Sequence, residues 1–447
     1  MRLYSVQSAR SRESGQTLAL VALFLVVLLA AAALAIDLTT LYVARGEMQR
    51  AADAAALAGA KAFVMSGVTT SVVGDGSNGH LRTLAQNIAN STINSLLAQD
   101  KVGGVAPSLV GTPTFDFDTH QGDPRITVTL QRTDVPTFFA RVFGQRLATV
   151  NATATAEAYN SSNAGAGSNM PPVGPSCVKP WLVPNFDPGH CTGGGGSLAC
   201  DPFVNADGTL PHSGVWSGPG TGIIGERITL GNIWANCGGP LCGLSTLPGL
   251  LTLPRYLGYL PANIASASGP CPSCSVGLPS PMSQSVACCD TANEYQCGST
   301  TSNVLVDLLH QRVISSLEGA ACLLTGGTGG GSGTMGDDRI DFSDFQSSNG
   351  SEPILIRSGN LPHSGQYVTT SNQIVTLPII DTTVLNTLLG RVKVIGFMQA
   401  FVEQTHNDGD VVLDVLNISG CGSNVNPALT PISGGGTSPV PVRLIHN

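Results

Sequence analysis

The sequence predicts an α+β protein: an amino-terminal transmembrane helix running on into a soluble stem, a small α+β unit, and a disulfide-rich, mainly β, loop-rich domain. Three observations predict it. The 20 residues Thr17–Ile36 carry no charge. The helical pattern continues beyond them to Phe63 without a proline. All 12 cysteines lie at or after Cys177.

At about 1.5 Å per residue, Thr17–Ile36 spans roughly 30 Å, the hydrocarbon thickness of a bilayer. Arg2, Arg10 and Arg12 precede it, which keeps residues 1–16 in the cytoplasm and sends the large carboxyl-terminal region outward. A cleaved signal peptide is the rival, because the basic start, the apolar stretch and Ala33-Leu34-Ala35 satisfy the cleavage pattern. The apolar run exceeds an ordinary signal-peptide core, and Asp37–Phe63 continues the helical pattern past the cut, so the segment reads as retained.

In the stem, Ala51, Ala52, Ala54, Ala55, Ala56, Ala58 and Ala60 make a thin helix. Small side chains let another helix approach closely, although alanine also simply favours helix. Asp37 stands at the exit of the span, where a solvated carboxylate at the membrane boundary is the expected role and a filament-pairing charge the other reading.

An ordered set of residues carries a resemblance. It comprises Glu13-Ser-Gly-Gln16, the apolar span, Ile36-Asp37-Leu38, Leu41-Tyr42-Val43-Ala44-Arg45 and Met48–Ala58. Together they are similar to the amino-terminal domain of TadG-like Flp pilus-assembly proteins, of the TadE/TadG-like family. The family-motif positions are Asp37, Tyr42, Arg45, Gln49, Ala52, Asp53, Ala54, Ala55 and Leu57. Arg125–Ala158, with its Pro136-Thr-Phe-Phe-Ala-Arg-Val-Phe-Gly144 segment, resembles the same group, and Val178–Pro184 and Val392–Phe401 do so more loosely. The resemblance implies a pilin-like stem, a non-enzymatic role in pilus assembly, and pilus-assembly proteins or pilin-like subunits as partners. Two departures are visible. Leu20 stands where processed prepilins carry Glu, and the Asp-x-Ser-x-Ser metal sequence of some members is absent, Asp341-Phe-Ser-Asp-Phe345 coming nearest.

Local patterns divide the chain into residues 1–16, 17–36, 37–159, a linker at 160–176 rich in Gly, Asn, Ser and Pro, and a cysteine-rich domain at 177–447. His80–Asp100 has leucines and isoleucine at helical spacing, whereas Arg125–Arg132 alternates as a half-buried strand. Leu147–Tyr159 is its expected partner, reached through a short helix around Phe138–Phe143. Farther on, Val304–Leu324 reads as a helix and Gly326–Gly336 as a loop. Pro353–Arg357, Gln373–Asp381, Val392–Gln404 and Val411–Ile418 read as strands, the last two joined by a hairpin at Asn407-Asp408-Gly409.

Chemistry is sparse. A net charge of −8, with 21 scattered Lys and Arg, argues against nucleic acid. The cysteines are Cys177, Cys191, Cys200, Cys237, Cys242, Cys271, Cys274, Cys288, Cys289, Cys297, Cys322 and Cys421. Their even number and crowding fit disulfides formed in an oxidising compartment, with the pairing open. Cys271-Pro-Ser-Cys274 has the spacing of a zinc or redox pair but lacks a completing ligand set or a strand-to-helix context. Asp337, Asp338, Asp341 and Asp344 could offer oxygens to calcium, without the EF-hand order. The sequence contains no G-x-S-x-G elbow and no P-loop, and His212-Ser213 and His363-Ser364 read as turn residues. No cofactor is expected.

The resulting expectation is a single-pass inner-membrane protein with a periplasmic body, non-enzymatic, acting by protein–protein contacts in a Tad/Flp-type pilus or secretion apparatus. The alternatives are a surface-displayed adhesin with a disulfide-stapled binding domain, its ligand unknown, and a periplasmic hydrolase or thiol oxidoreductase.

Overall fold

A computed structural model of the chain describes residues 13–70, 78–118, 123–163, 171–192, 199–232, 256–272, 274, 277–297, 304–306, 313–325, 335–342, 354–359, 363–368, 370–381, 391–406, 410–422, 426, 428–432 and 437–445. The predicted α+β class holds: a long amino-terminal helix is followed by short helices and many strands. Helix α1 runs unbroken from Glu13 to Met65. It holds an 18-residue window of mean hydropathy 3.1 that no other residue covers, so it is long and apolar enough to cross a membrane. No proline interrupts it, and alanine, the best helix former, fills its second half. Helix α2 follows at Asn78–Gln99.

Four strands come next: β1 (Ser108–Leu109), β2 (Thr114–Asp116), β3 (Arg125–Pro136) and β4 (Leu147–Ala158). In β3 the inward positions Ile126, Val128 and Leu130 are buried and alternate with half-buried neighbours, as the period-2 pattern predicts. The sheet has the order β1-β3-β4-β18, with β2 also on β3, where β18 is Val442–Ile445.

The chain folds as two compact units that interleave along the sequence. The first comprises Met1–Ala56, Asn94–Pro113 and Thr127–Ala154. The second comprises Leu57–Ile93, Thr114–Ile126 and Thr155–Asn447.

A closed six-stranded barrel forms the centre of the second unit. Its members are β5 (Trp181–Pro184), β8 (Arg227–Asn232), β9 (Tyr256–Pro261), β14 (Ile374–Ile380), β16 (Val394–Thr405) and β17 (Val411–Gly420). The strand order is β14-β16-β17-β8-β9-β5. Pairing is antiparallel except for β8 with β9 and β5 with β14, which are parallel. Trp181, Tyr259, Phe397 and Phe401 are among its fully buried side chains. Every residue of β17 is buried, so both faces of that strand are covered.

The predicted strands of the tail are present, and β16 and β17 pair antiparallel as expected, while Asn407-Asp408-Gly409 between them lies outside the described residues. The predicted helix at Val304–Leu324 is shorter than expected. Val304–Leu305 is instead a strand, β10, paired with Arg391–Val392, β15, and the helix α4 occupies Val313–Thr325. The β-branched Val304 and Val306 flank a single leucine here, a composition that suits a strand once a partner is available. Helix α3, Pro281–Ala287, was not predicted; Ser280 caps it through a reciprocal bond with Ser283. Gly319 on α4 leaves room for α3: a Cβ there would meet Val286 Cβ at 2.6 Å. The Oγ of Ser316 on α4 accepts from Trp181 Nε1 at 2.6 Å, tying the helix pair to the barrel.

Among the described residues, five disulfides bind this unit: Cys177–Cys289, Cys191–Cys200, Cys271–Cys288, Cys274–Cys322 and Cys297–Cys421. Cys237 and Cys242 lie outside the described residues.

Candidate functional site

Beyond Ile36, helix α1 sorts its residues by face. Asp37, Ala44, Met48, Ala51, Ala52 and Ala55 recur at helical spacing and are buried. The alanines of that stripe are thus already packed within this chain. Gly59 continues it in the second unit, where an added Cβ would sit 2.6 Å from Ile126 Cδ1. On the other face Leu38, Tyr42, Arg45 and Gln49, spaced four, three and four apart, form one exposed ridge, with Tyr42 75% exposed. Gln49 Nε2 donates to Asp53 Oδ1 at 2.8 Å and extends the ridge by a turn.

Asp37 departs from the sequence expectation. It is a buried acceptor, not a solvated charge at the membrane boundary. Its carboxylate receives three backbone N–H groups from the β3–β4 connection. Phe138 donates to Oδ1 at 2.8 Å, Ala140 to Oδ2 at 2.6 Å, and Phe139 to both oxygens at 3.3 and 3.1 Å. These donors open the short 3-10 turn Ala140–Phe143 and have no partner inside it, so a carboxylate placed there caps the turn from another element. Burial works to raise the Asp37 pKa; the three N–H bonds outweigh it and hold the carboxyl below the usual range. Gly144 ends the turn at φ 90°, a left-handed conformation that glycine adopts without strain. Thr137 N–H donating to the Arg146 carbonyl at 3.2 Å closes the connection.

Around this clamp the first unit has further ties. Glu47 Oε2 accepts from Gly103 N–H at 2.6 Å. Arg132 reaches the Val102 carbonyl and pairs with Asp134 at 2.7 Å. A groove of about 600 Å³ lies here, lined among others by Ala35, Ile36, Thr39, Val43, Val135 and Phe138.

The segment that presents the ridge and the clamp decides the family comparison. Residues 15–62 match the Flp pilus-assembly TadE/G-like family. No curated protein and no solved structure matches the chain. The TadE/G-like segment lies wholly within α1. Its motif residues divide between the two faces: Asp37, Ala52 and Ala55 are buried, Tyr42, Arg45 and Gln49 are exposed, and Asp53, Ala54 and Leu57 are half-buried. The family motif therefore holds both internal packing and an outward surface.

Replacing Asp37 by alanine is expected to speed amide exchange at Phe138, Phe139 and Ala140 by about tenfold, while β3 and β4 stay protected. Hydrogen–deuterium exchange on the full chain reads this directly; unchanged protection at those amides would refute the capping role.

The other predicted site residues lie outside residues 15–62 in sequence, although Cys177, Cys271, Cys288 and Cys289 line one cavity with Leu57, Ala58 and Lys61. Cys271 and Cys274 each bond a different partner, Cys288 and Cys322, so they do not form a CxxC dithiol pair with each other. Among the proposed calcium ligands, Asp338 is buried and accepts from Gly359 N–H at 3.0 Å and from the Ser371 hydroxyl. Asp337 N–H donates to the Leu324 carbonyl, Asp341 lies in the strand β11 (Arg339–Asp341), and Asp344 lies outside the described residues.

A buried group that the sequence did not suggest is Asp187, His190 and Glu226, whose potential ligand atoms lie within 4.8 Å of one another. His190 Nδ1 meets Asp187 Oδ2 at 2.7 Å, and its Nε2 faces the Thr221 carbonyl. An acceptor at each nitrogen favours the doubly protonated ring. Burial opposes this, but Asp187 outweighs it and raises the His190 pKa. Both ring nitrogens are thus engaged by groups of this chain. His212 stacks on His190 at 3.6 Å and meets Asp201 at 2.9 Å. The residues concerned are spread from 187 to 226, without a spacing that marks them.

Proposed function

We propose that this chain is a membrane-anchored, non-enzymatic component of a Tad/Flp-type pilus-assembly or secretion apparatus. Its helix α1 anchors it in the bacterial inner membrane by a single pass, and its body lies in the periplasm. There the stem ridge contacts pilin-like subunits or other assembly proteins. The observation that carries this reading is the placement of the motif residues Tyr42, Arg45 and Gln49 on an exposed ridge directly beyond an apolar helix that matches the TadE/G-like family. Tyr42 and Arg45 are exposed and so open to a partner helix, while Gln49, beside them, also donates to Asp53 and to the Thr153 carbonyl. Disulfides throughout the second unit fit an oxidising compartment.

The test is a ridge variant, Tyr42→Ala with Arg45→Glu, in cells that make the pilus. Because both residues are exposed, the melting temperature is expected to hold within about 1–2 °C, while piliation falls severely. Normal piliation by the variant would overturn the proposal.

A further inference from the structure

We propose that the β3–β4 connection, Pro136–Leu147, is a second membrane contact, dipping into the headgroup–acyl boundary of the leaflet from which α1 emerges. The inference rests on the reading of α1 as a membrane span. The charge-free run of α1 ends at Ile36, and the next residue, Asp37, holds the backbone N–H groups of Phe138, Phe139 and Ala140. The connection is therefore fixed at the height where the helix leaves the hydrocarbon.

Its side chains suit that height. Phe138 is 60% exposed, Phe139 41% and Leu147 54%. Leaving such side chains in water forgoes the gain of apolar burial. Beside them on α1, Ile36 and Leu38 are exposed at the same level, and the groove holding Ile36, Val43 and Phe138 opens there. Arg141 and Arg146 are exposed on the same connection, where two cations complement anionic headgroups. Paired aromatics followed by two arginines, held level with the end of an apolar span, match an interfacial anchor. The neighbouring Asp37 charge does not oppose insertion, because three N–H groups already satisfy it.

The experiment uses the full chain in nanodiscs of phosphatidylcholine and phosphatidylglycerol. A photo-crosslinking benzoylphenylalanine replaces Phe138, Phe139 or Gln49 singly, with thermal melting to confirm folding. Gln49 lies about 18 Å farther along the helix. Mass spectrometry is expected to find lipid adducts at Phe138 and Phe139 at least about tenfold above those at Gln49. Adducts to a second copy of the chain, or equal yields at all three positions, would overturn the proposal. Carbonate extraction of the same samples separates the two failures. A chain that stays in the membrane without lipid adducts sinks only the second contact. A chain that washes off sinks the anchor reading together with it.

Discussion

Replacing Cys297 and Cys421 together by serine is expected to lower the stability of the second unit by about 4–5 kcal/mol, the chain-entropy value for so long a closed loop. The bond joins residues 124 apart in sequence. The loop it closes contains three of the six barrel strands, β14, β16 and β17, so the unfolded chain it restrains is one that has lost half the barrel. Substituting both partners avoids a free thiol that could exchange with the remaining bonds. Urea unfolding of the full chain, with and without reductant, measures the effect. The variant and the reduced wild type should both unfold at lower denaturant. A midpoint equal to that of the oxidised wild type would show that this closure adds nothing.

The second large effect depends on pH. Asp123 is buried, and burial raises its pKa to about 7; nearby Glu157 adds to the rise, against the Asn160 N–H at 2.9 Å and the charges of Arg443 and Arg125. In the unfolded chain an aspartate ionises near pH 4, so between about pH 4 and 7 the folded protein keeps a proton that the unfolded chain has released. Stability from this group is therefore full below about pH 4 and falls as pH rises to about 7, by an amount on the order of 4 kcal/mol. Asp123→Asn keeps an oxygen for the Asn160 N–H and removes the ionisation. The variant should be more stable than wild type at pH 8 and should lose that advantage progressively toward pH 4. Paired melts across this range decide the matter, and parallel curves for the two proteins would rule the effect out. Glu157 itself pairs with Arg125 at 3.1 Å and Arg443 at 2.6 Å, so the residue pushing on Asp123 is held in place.

The sequence made visible what depends on near neighbours. A charge-free run announces α1, alternation announces β3, and the tail strands β14, β16 and β17 are long enough to show their composition. The barrel was not legible. β5, β8 and β9 have only 4, 6 and 6 residues, and they lie between cysteines, glycines and prolines. Closure also needs parallel pairing of Val183 with Ile379, and no local pattern records a partner so remote. Asp37 was misjudged for the same reason. A carboxylate at a membrane boundary looks solvated until the backbone that it caps, about a hundred residues downstream, is brought to it. The outward ridge, by contrast, was already present in the spacing of Tyr42, Arg45 and Gln49; only a structure shows which face of the stem is covered.

The pairing of Val442–Ile445 with Thr155–Ala158 has a consequence for biosynthesis. A growing polypeptide makes β4 almost three hundred residues before the strand that flanks it, and until then that flank of β4 offers bare amide and carbonyl groups. A ribosome that stalls short of residue 442 would therefore leave a fragment with a sticky border, open to pairing with any extended neighbour, and only full synthesis seals it.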